Sequence, residues 1–305
     1  MTKTLKPIVF FGSGPVAAAS LAGLLQSFTI EFVVTKAVPA HHKGTAPVEE
    51  LAKQHDIPLL IASTRKELDD VMDSQNFRSP IGVIVDHGVI VSQKVIDMFP
   101  LGIVNSHFSL LPQWRGADPI TFSILSGQPK TGVSLMVIEP TLDTGKLITQ
   151  KTLHLALDET TPSLTEKLIE LSNDLLDEYL PRYINGEITP RAQPHPDRAT
   201  YSRKLTKADS ILDFTRPAVE LEREIRAFTG WPQSRTPLGV IEVVITKAAV
   251  TQSATPVIPG ELYVEKKRLS IGTTEGLLEI ISLKPLGKKE MPVQAFLAGY
   301  RSQLG

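Results

Sequence analysis

The first thirty-five residues constrain the fold more than any other stretch. Pro7, Ile8, Val9, Phe10 and Phe11 form an apolar run, and Gly12, Ser13, Gly14 and Pro15 form a turn. Residues 16–26 are rich in Ala and Leu, and residues 30–35 read as a second strand. A strand, a glycine turn, a helix and a second strand, in that order, begin a parallel α/β sheet. Residues 81–85 are fully apolar, as a strand buried on both faces requires. Helices are expected at 47–55 and 64–72, and a strand at 58–61. The first turn also fits the loose G-x-G-x-x-A dinucleotide fingerprint. That fingerprint needs an acidic residue near the end of the second strand. Here Glu31 stands at its start, and Thr35 and Lys36 occupy its end. A tight turn with glycines for backbone freedom is the favoured reading.

At 305 residues the chain exceeds the usual size of one domain. Residues 118–125 read as a helix capped by Asp118 with Pro119 at its first position. Strands are expected at 132–138 and 146–153. Thr161 and Pro162 open a helix whose apolar stripe is Leu164, Leu168, Leu171, Leu175 and Tyr179, read as core packing. Pro190, Pro194 and Pro196 then mark a polar linker. Beyond it come a helix at 218–228, a break at Gly230, Trp231 and Pro232, and short strand-like runs at 240–245, 261–264, 269–272 and 277–283. Short strands with turn signals fit a small five-stranded oligonucleotide-binding (OB-like) barrel. The expected organisation is a Rossmann-like, mostly parallel catalytic domain at 1–188, a linker at 189–202 and an OB-like domain at 203–305.

Composition removes several function classes. The chain has no cysteine, which excludes disulfides, thiolate metal sites and cysteine nucleophiles. No apolar run approaches the ~20 residues of a membrane span, and no signal-peptide core follows Met1, so a cytoplasmic protein with no membrane partner is expected. Net charge is −1, unevenly spread. Residues 191–305 hold 17 Lys and Arg against 12 Asp and Glu, and residues 1–190 hold 15 against 21. A basic half fits a polyanionic partner. His41 and His42 are adjacent, but no third ligand stands nearby, so that loop reads as solvated or anion-facing.

The stretch 103–120 carries the chemistry. It begins as an apolar strand and turns polar at Asn105, with His107 two places on. Residues i and i+2 of a strand share a face, so both side chains project together at the strand's carboxyl end. Open α/β sheets keep their sites there. An amide beside an imidazole suits a reaction that builds negative charge on a carbonyl oxygen. Asp86, His87 and Gly88, at the end of another strand, can line the same crevice or form a structural Asx turn.

Asn105-Ser106-His107, Ser109-Leu110-Leu111-Pro112, Trp114-Arg115-Gly116 and Pro119-Ile120 resemble the signature of the 10-formyltetrahydrofolate-dependent formyltransferases. Leu142-Asp143-Thr144-Gly145 is similar to their second motif. The tail resembles the members that formylate methionyl initiator tRNA. It carries Thr200-Tyr201, Lys204-Leu205, Ile225 to Phe228, Trp231-Pro232, Gly287-Lys288-Lys289, Met291 and Phe296. The resemblance spans nearly the whole chain. It implies formyl transfer from 10-formyltetrahydrofolate to the methionyl α-amine by a monomer that needs no metal. It implies a tetrahedral intermediate stabilised by Asn105 and His107, with Asp143 assisting. Ser109, Leu110, Leu111, Pro112, Asp86, His87, Gly88, Val89 and Ile90 would bind the folate. Lys36, Lys43, Arg203, Lys204, Lys207, Lys288 and Lys289 would bind tRNA. The chain departs from the pattern in a short loop after the second strand and in Asp86, His87, Phe108, Gln113 and Gly230. Three alternatives stay open: an amino-sugar formyltransferase, a formyltetrahydrofolate hydrolase, and a non-enzymatic tRNA-binding module.

Overall fold

The computed structural model describes residues 6–38 and 46–304. The chain divides into two units. Unit 1 is Met1–Pro119, Lys130–His154 and Thr165–Ser202; unit 2 is Ile120–Pro129, Leu155–Leu164 and Arg203–Gly305.

Unit 1 is built on β1 (Ile8–Gly12), α1 (Gly14–Ser27), β2 (Ile30–Thr35), α2 (Pro47–Gln54), β3 (Leu59–Ile61), α3 (Arg65–Asp73), β4 (Ile81–Val85), α4 (Gln93–Asp97) and β5 (Ile103–His107). The chain continues through β6 (Arg115–Gly116), α5 (Pro119–Leu125), β7 (Lys130–Val137), β8 (Leu147–His154), α6 (Thr161–Ile184) and β9 (Tyr201–Ser202). The seven-stranded sheet runs β3-β2-β1-β4-β5-β7-β8. Its first five strands are parallel, and β7 and β8 join antiparallel. The apolar runs at β1 and β4 are buried at every position, which is why they lack alternation. Val9 and Phe11 pack on one face with Leu68, Val95 and Phe99. Gly12 lets β1 turn into α1, because a Cβ there would meet the Ala17 Cβ at 2.6 Å and the Val85 carbonyl at 2.8 Å.

Glu31, at the start of β2, is structural. Its carboxylate accepts the Arg78 and Ser79 amides (2.9 and 2.7 Å) and the Ser79 hydroxyl at 2.5 Å. The α6 stripe is buried at Leu164, Leu168, Leu171 and Leu175; Leu176 and Leu180 complete it, and Tyr179 stays half-buried. α4 follows no periodic signal. Ser92 caps it by accepting the Val95 amide. The proline-rich stretch lies along unit 1. Leu147 and Arg191 exchange backbone hydrogen bonds (2.7 and 2.9 Å), and β9 pairs with β6.

Unit 2 contains α7 (Ala218–Ala227), β10 (Ser234–Leu238), β11 (Ile241–Thr251), β12 (Leu262–Glu265), β13 (Arg268–Gly272), β14 (Leu277–Pro285), β15 (Met291–Pro292) and α8 (Val293–Tyr300). The strands form one antiparallel sheet in the order β10-β11-β14-β13-β12, with β15 beside β14. Leu221 and Ile225 of α7 pack on Val243, Ile245, Leu278 and Ile280 of the sheet, and Phe296 of α8 joins the same core. β10 carries Pro237, and strand reading from sequence passes over it. Among the described residues no helix is long and apolar enough to cross a membrane.

Candidate active site

The carboxyl ends of β1, β4 and β5 lie side by side in unit 1. β5 delivers Asn105 and His107 to this edge, opposite Met136 and Ser134 of β7. Ser106 points the other way, and its hydroxyl bonds to Ser172 at 2.6 Å. The alternation expected from the sequence therefore holds. Asn105 is half-buried, and its amide makes no hydrogen bond to another described residue. His107 is buried. Its Nε2 lies 2.9 Å from the Trp114 carbonyl. A carbonyl only accepts, so Nε2 carries a proton, and Nδ1 is the ring atom left to exchange one. Nδ1 faces Asp143 Oδ2 at 3.9 Å. That is too long for a hydrogen bond but close enough for electrostatic attraction.

Asp143 reaches this position from a loop between β7 and β8. It takes a left-handed φ of 50°, and Asp86 (47°) and Trp114 (55°) do the same. Residues with a Cβ rarely adopt that conformation, and functional sites are where it collects. The Gly116 amide donates to Asp143 Oδ2 at 2.7 Å. Gly116 is itself required, because at φ 114° a Cβ would stand 2.2 Å from the Ser202 carbonyl.

The loop 109–116 is closed by hydrogen bonds. Ser109 is fully buried, and its hydroxyl donates to the Gln113 carbonyl at 2.5 Å. Ser134 Oγ accepts the Leu111 amide (3.0 Å) and donates to the Ser109 carbonyl (2.6 Å). Gln150 donates to the Leu111 carbonyl and to Ser134 Oγ, both at 2.8 Å. Leu111 packs on Met136 and Leu147. Thr200 accepts the Trp114 amide on its hydroxyl (2.9 Å) and the Arg115 amide on its carbonyl (2.9 Å). Ser109, Leu111 and Pro112 thus face inward, and Leu110 is half-buried. Ser134, Gln150 and Gln193 have no signal in the sequence that marks them, since their partners are distant in the chain; Thr200 stands in the tail resemblance, but its contact with Trp114 and Arg115 is not readable from there.

Asp86, His87, Gly88, Val89 and Ile90 follow β4 at the same edge. Asp86 keeps an exposed side, yet the protein crowded around its carboxyl pushes it up to about 6; Asp118 adds to the rise and Lys36 opposes it. His87 is only 3% exposed and meets Phe11 edge-on. Burial, with the nearby Lys36 charge, pushes its imidazole down to about 4. Neither of its ring nitrogens has a hydrogen-bond partner among the described residues. Val89 is half-buried, and Ile90 is 69% exposed. With Leu142, 59% exposed, it offers apolar surface at the end of the sheet that holds the polar triad.

A cavity of about 230 Å³ opens at this end of the sheet, lined by Ser13, Thr35, Lys36, Val38, Pro47 and Glu49. Asn105, His107 and Asp143 do not line it. Among the described residues no group of three His, Asp or Glu is assembled to hold a metal. Lys43, like His41 and His42, lies outside the described residues. In unit 2, Arg203 pairs with Asp209. Lys204, Lys207, Lys288 and Lys289 are exposed.

A family model described as "Formyl transferase" matches residues 6–180, and one described as "Formyl transferase, C-terminal domain" matches residues 204–301. The methionyl-tRNA formyltransferase of Roseiflexus sp. (strain RS-1) is 35% identical over 301 residues, covering 96% of this chain and 92% of that one. The methionyl-tRNA formyltransferase of Myxococcus xanthus (strain DK1622) is 34% identical over 299 residues, covering 96% and 95%. An N-formyltransferase from Helicobacter canadensis, solved with folinic acid and dTDP-3-aminofucose, shares the fold. Its TM-score is 0.69 at 17% identity, over 94% of this chain and 100% of that one.

Proposed function

The chain belongs to the methionyl-tRNA formyltransferase family of formyl transferases, and from that premise we propose that it moves a formyl group from 10-formyltetrahydrofolate to the α-amine of methionyl initiator tRNA. One observation carries the chemistry. His107 has Nε2 tied to the Trp114 carbonyl and Nδ1 facing the Asp143 carboxylate, beside an Asn105 amide with no hydrogen-bond partner among the described residues.

The amine nitrogen attacks the formyl carbon, and the formyl oxygen takes the electron pair. Asn105 donates its amide N–H to that oxyanion. His107 assists at the oxyanion from Nδ1, which lies 3.9 Å from the Asp143 carboxylate. Asp143 Oδ2 is held by the Gly116 amide, while Oδ1 makes no hydrogen bond to another described residue. Oδ1 therefore takes the proton lost by the attacking amine, directly or through water. When the tetrahedral intermediate collapses, the bond from carbon to folate nitrogen breaks, and the proton taken by Asp143 passes to that nitrogen, directly or through water. Leu110, Ile90, Leu142 and the backbone of the loops at 86–90 and 109–112 flank the folate. Lys204, Lys207, Lys288 and Lys289 of unit 2 attract tRNA phosphates. Arg203 contributes less, because its guanidinium is engaged by Asp209.

Incubation with 10-formyltetrahydrofolate and methionyl initiator tRNA should give formyl-methionyl-tRNA. Transfer to a nucleotide-linked amino sugar instead, or release of formate without transfer, would overturn the choice of acceptor. Tight tRNA binding without formylated product would overturn the enzymatic reading.

A further inference from the structure

Gln193 lies in the proline-rich stretch and is only 7% exposed. Its Nε2 donates to the carbonyls of Asp143 (2.7 Å) and Gly145 (3.0 Å), and its Oε1 accepts from Arg115 Nη2 at 2.6 Å. One amide thus spans the turn that presents Asp143. Arg115 is followed by Gly116, whose N–H holds the Asp143 carboxylate. The backbone and the side chain of Asp143 are therefore both fixed through residues 115 and 116.

We propose that Gln193 is a positioning residue, which holds the left-handed turn in which Asp143 faces His107. The inference rests on the catalytic assignment of Asp143 given above. A φ of 50° is sparsely populated for an aspartate. The two hydrogen bonds from Gln193 oppose relaxation of the turn toward an ordinary φ, which would swing the carboxylate away from the imidazole. The segment carrying Gln193 does not depend on that amide for its own placement. Arg191 is fixed to Leu147 by two backbone hydrogen bonds, and Thr200 is fixed to the loop at 112–115. Removing the amide should therefore loosen the Asp143 turn and leave the sheet intact.

The test uses Gln193→Met, which keeps the volume and removes the amide, in the full-length protein. The expected fall in kcat is on the order of 10²-fold, the cost of a misplacement of about 1 Å, with KM for the formyl donor unchanged. In hydrogen exchange, the Gly116 amide should lose protection, because its acceptor is the Asp143 carboxylate, while β7 and β8 keep theirs. Gln193→Glu retains an acceptor for Arg115 but offers the carbonyls no donor, so it should fail in the same way. Normal activity in Gln193→Glu would shift the role to the Arg115 contact and overturn the proposal. So would an unchanged kcat, an unchanged Gly116 exchange rate, or a loss of protection spread across β7 and β8. A wild-type protein that transfers no formyl group would defeat the catalytic reading instead. The Gly116 exchange rate would still report whether Gln193 holds Asp143.

Discussion

The loop at 109–116 and the turn at 285–290 put polar residues to opposite uses. In the first, Ser109, Ser134, Gln150 and Thr200 satisfy backbone groups from several directions, and the loop is largely buried. In the second, Leu286, Gly287, Lys288 and Lys289 are exposed, and a Cβ on Gly287 would meet nothing within 4 Å. A site that aligns groups on a developing oxyanion needs fixed geometry, whereas attraction to a polyanion needs only charge within a Debye length. The first region should fail abruptly under single substitutions and the second gradually.

The sharpest test is chemical. Asn105→Ala and His107→Ala should each lower turnover by about 10²–10³-fold with the fold intact, as loss of one oxyanion-stabilising group typically does, and Asp143→Ala by about 10²–10⁴-fold, as loss of a proton acceptor does. Steady-state kinetics and thermal melting check both parts, and near-normal turnover in any one variant removes that residue from the mechanism.

Acid stability comes next. Above pH 6.5, His87 is neutral in both the folded and the unfolded chain. Between its ordinary 6.5 and the folded value of about 4, only the unfolded chain takes up a proton, so stability falls as pH falls. The loss approaches about 3 kcal/mol near pH 4. His87→Phe should abolish it, and urea midpoints for both proteins across that range measure the difference. Asp86 has the opposite sign, adding stability as pH drops through about 6, so the comparison must be made between variants.

Ser134→Ala should cost about 1–3 kcal/mol in unfolding free energy, because the Leu111 amide is left buried without an acceptor. A cost near zero would show that the loop is less tightly fixed than its hydrogen bonds imply. The smallest effect is expected at the turn. Lys288→Ala with Lys289→Ala should leave kcat unchanged and reduce the salt dependence of tRNA binding by a slope of about 0.7–0.9 per lost phosphate contact. A collapse of turnover in that pair would erase the contrast between the two regions.

Much of this was legible in the sequence, for physical reasons that can be named. β4 is an apolar run whose burial is local information, and it stands where the pattern put it. Asn105 and His107 could be placed on one face because the strand period is two. Their relation to Asp143 was not readable from spacing. It depends on a left-handed turn 36 positions beyond His107 and came only from resemblance to a family. Gln193 was silent because its partners lie 48, 50 and 78 residues away. β10 was missed because Pro237 argues against a strand in an interior position, and β10 is an edge.

The stretch from Arg191 to Ser202 has a bearing on how far the two halves of such a molecule are interchangeable parts. Composition suggests a modular joint after residue 188. A fragment ended there would lack Gln193 under the Asp143 turn and Thr200 beside Trp114 and Arg115. An exchange of second units between relatives keeps the first unit whole only when the crossover falls after Ser202. The stretch that reads as a tether therefore travels, in any recombination that preserves activity, as cargo of the catalytic half.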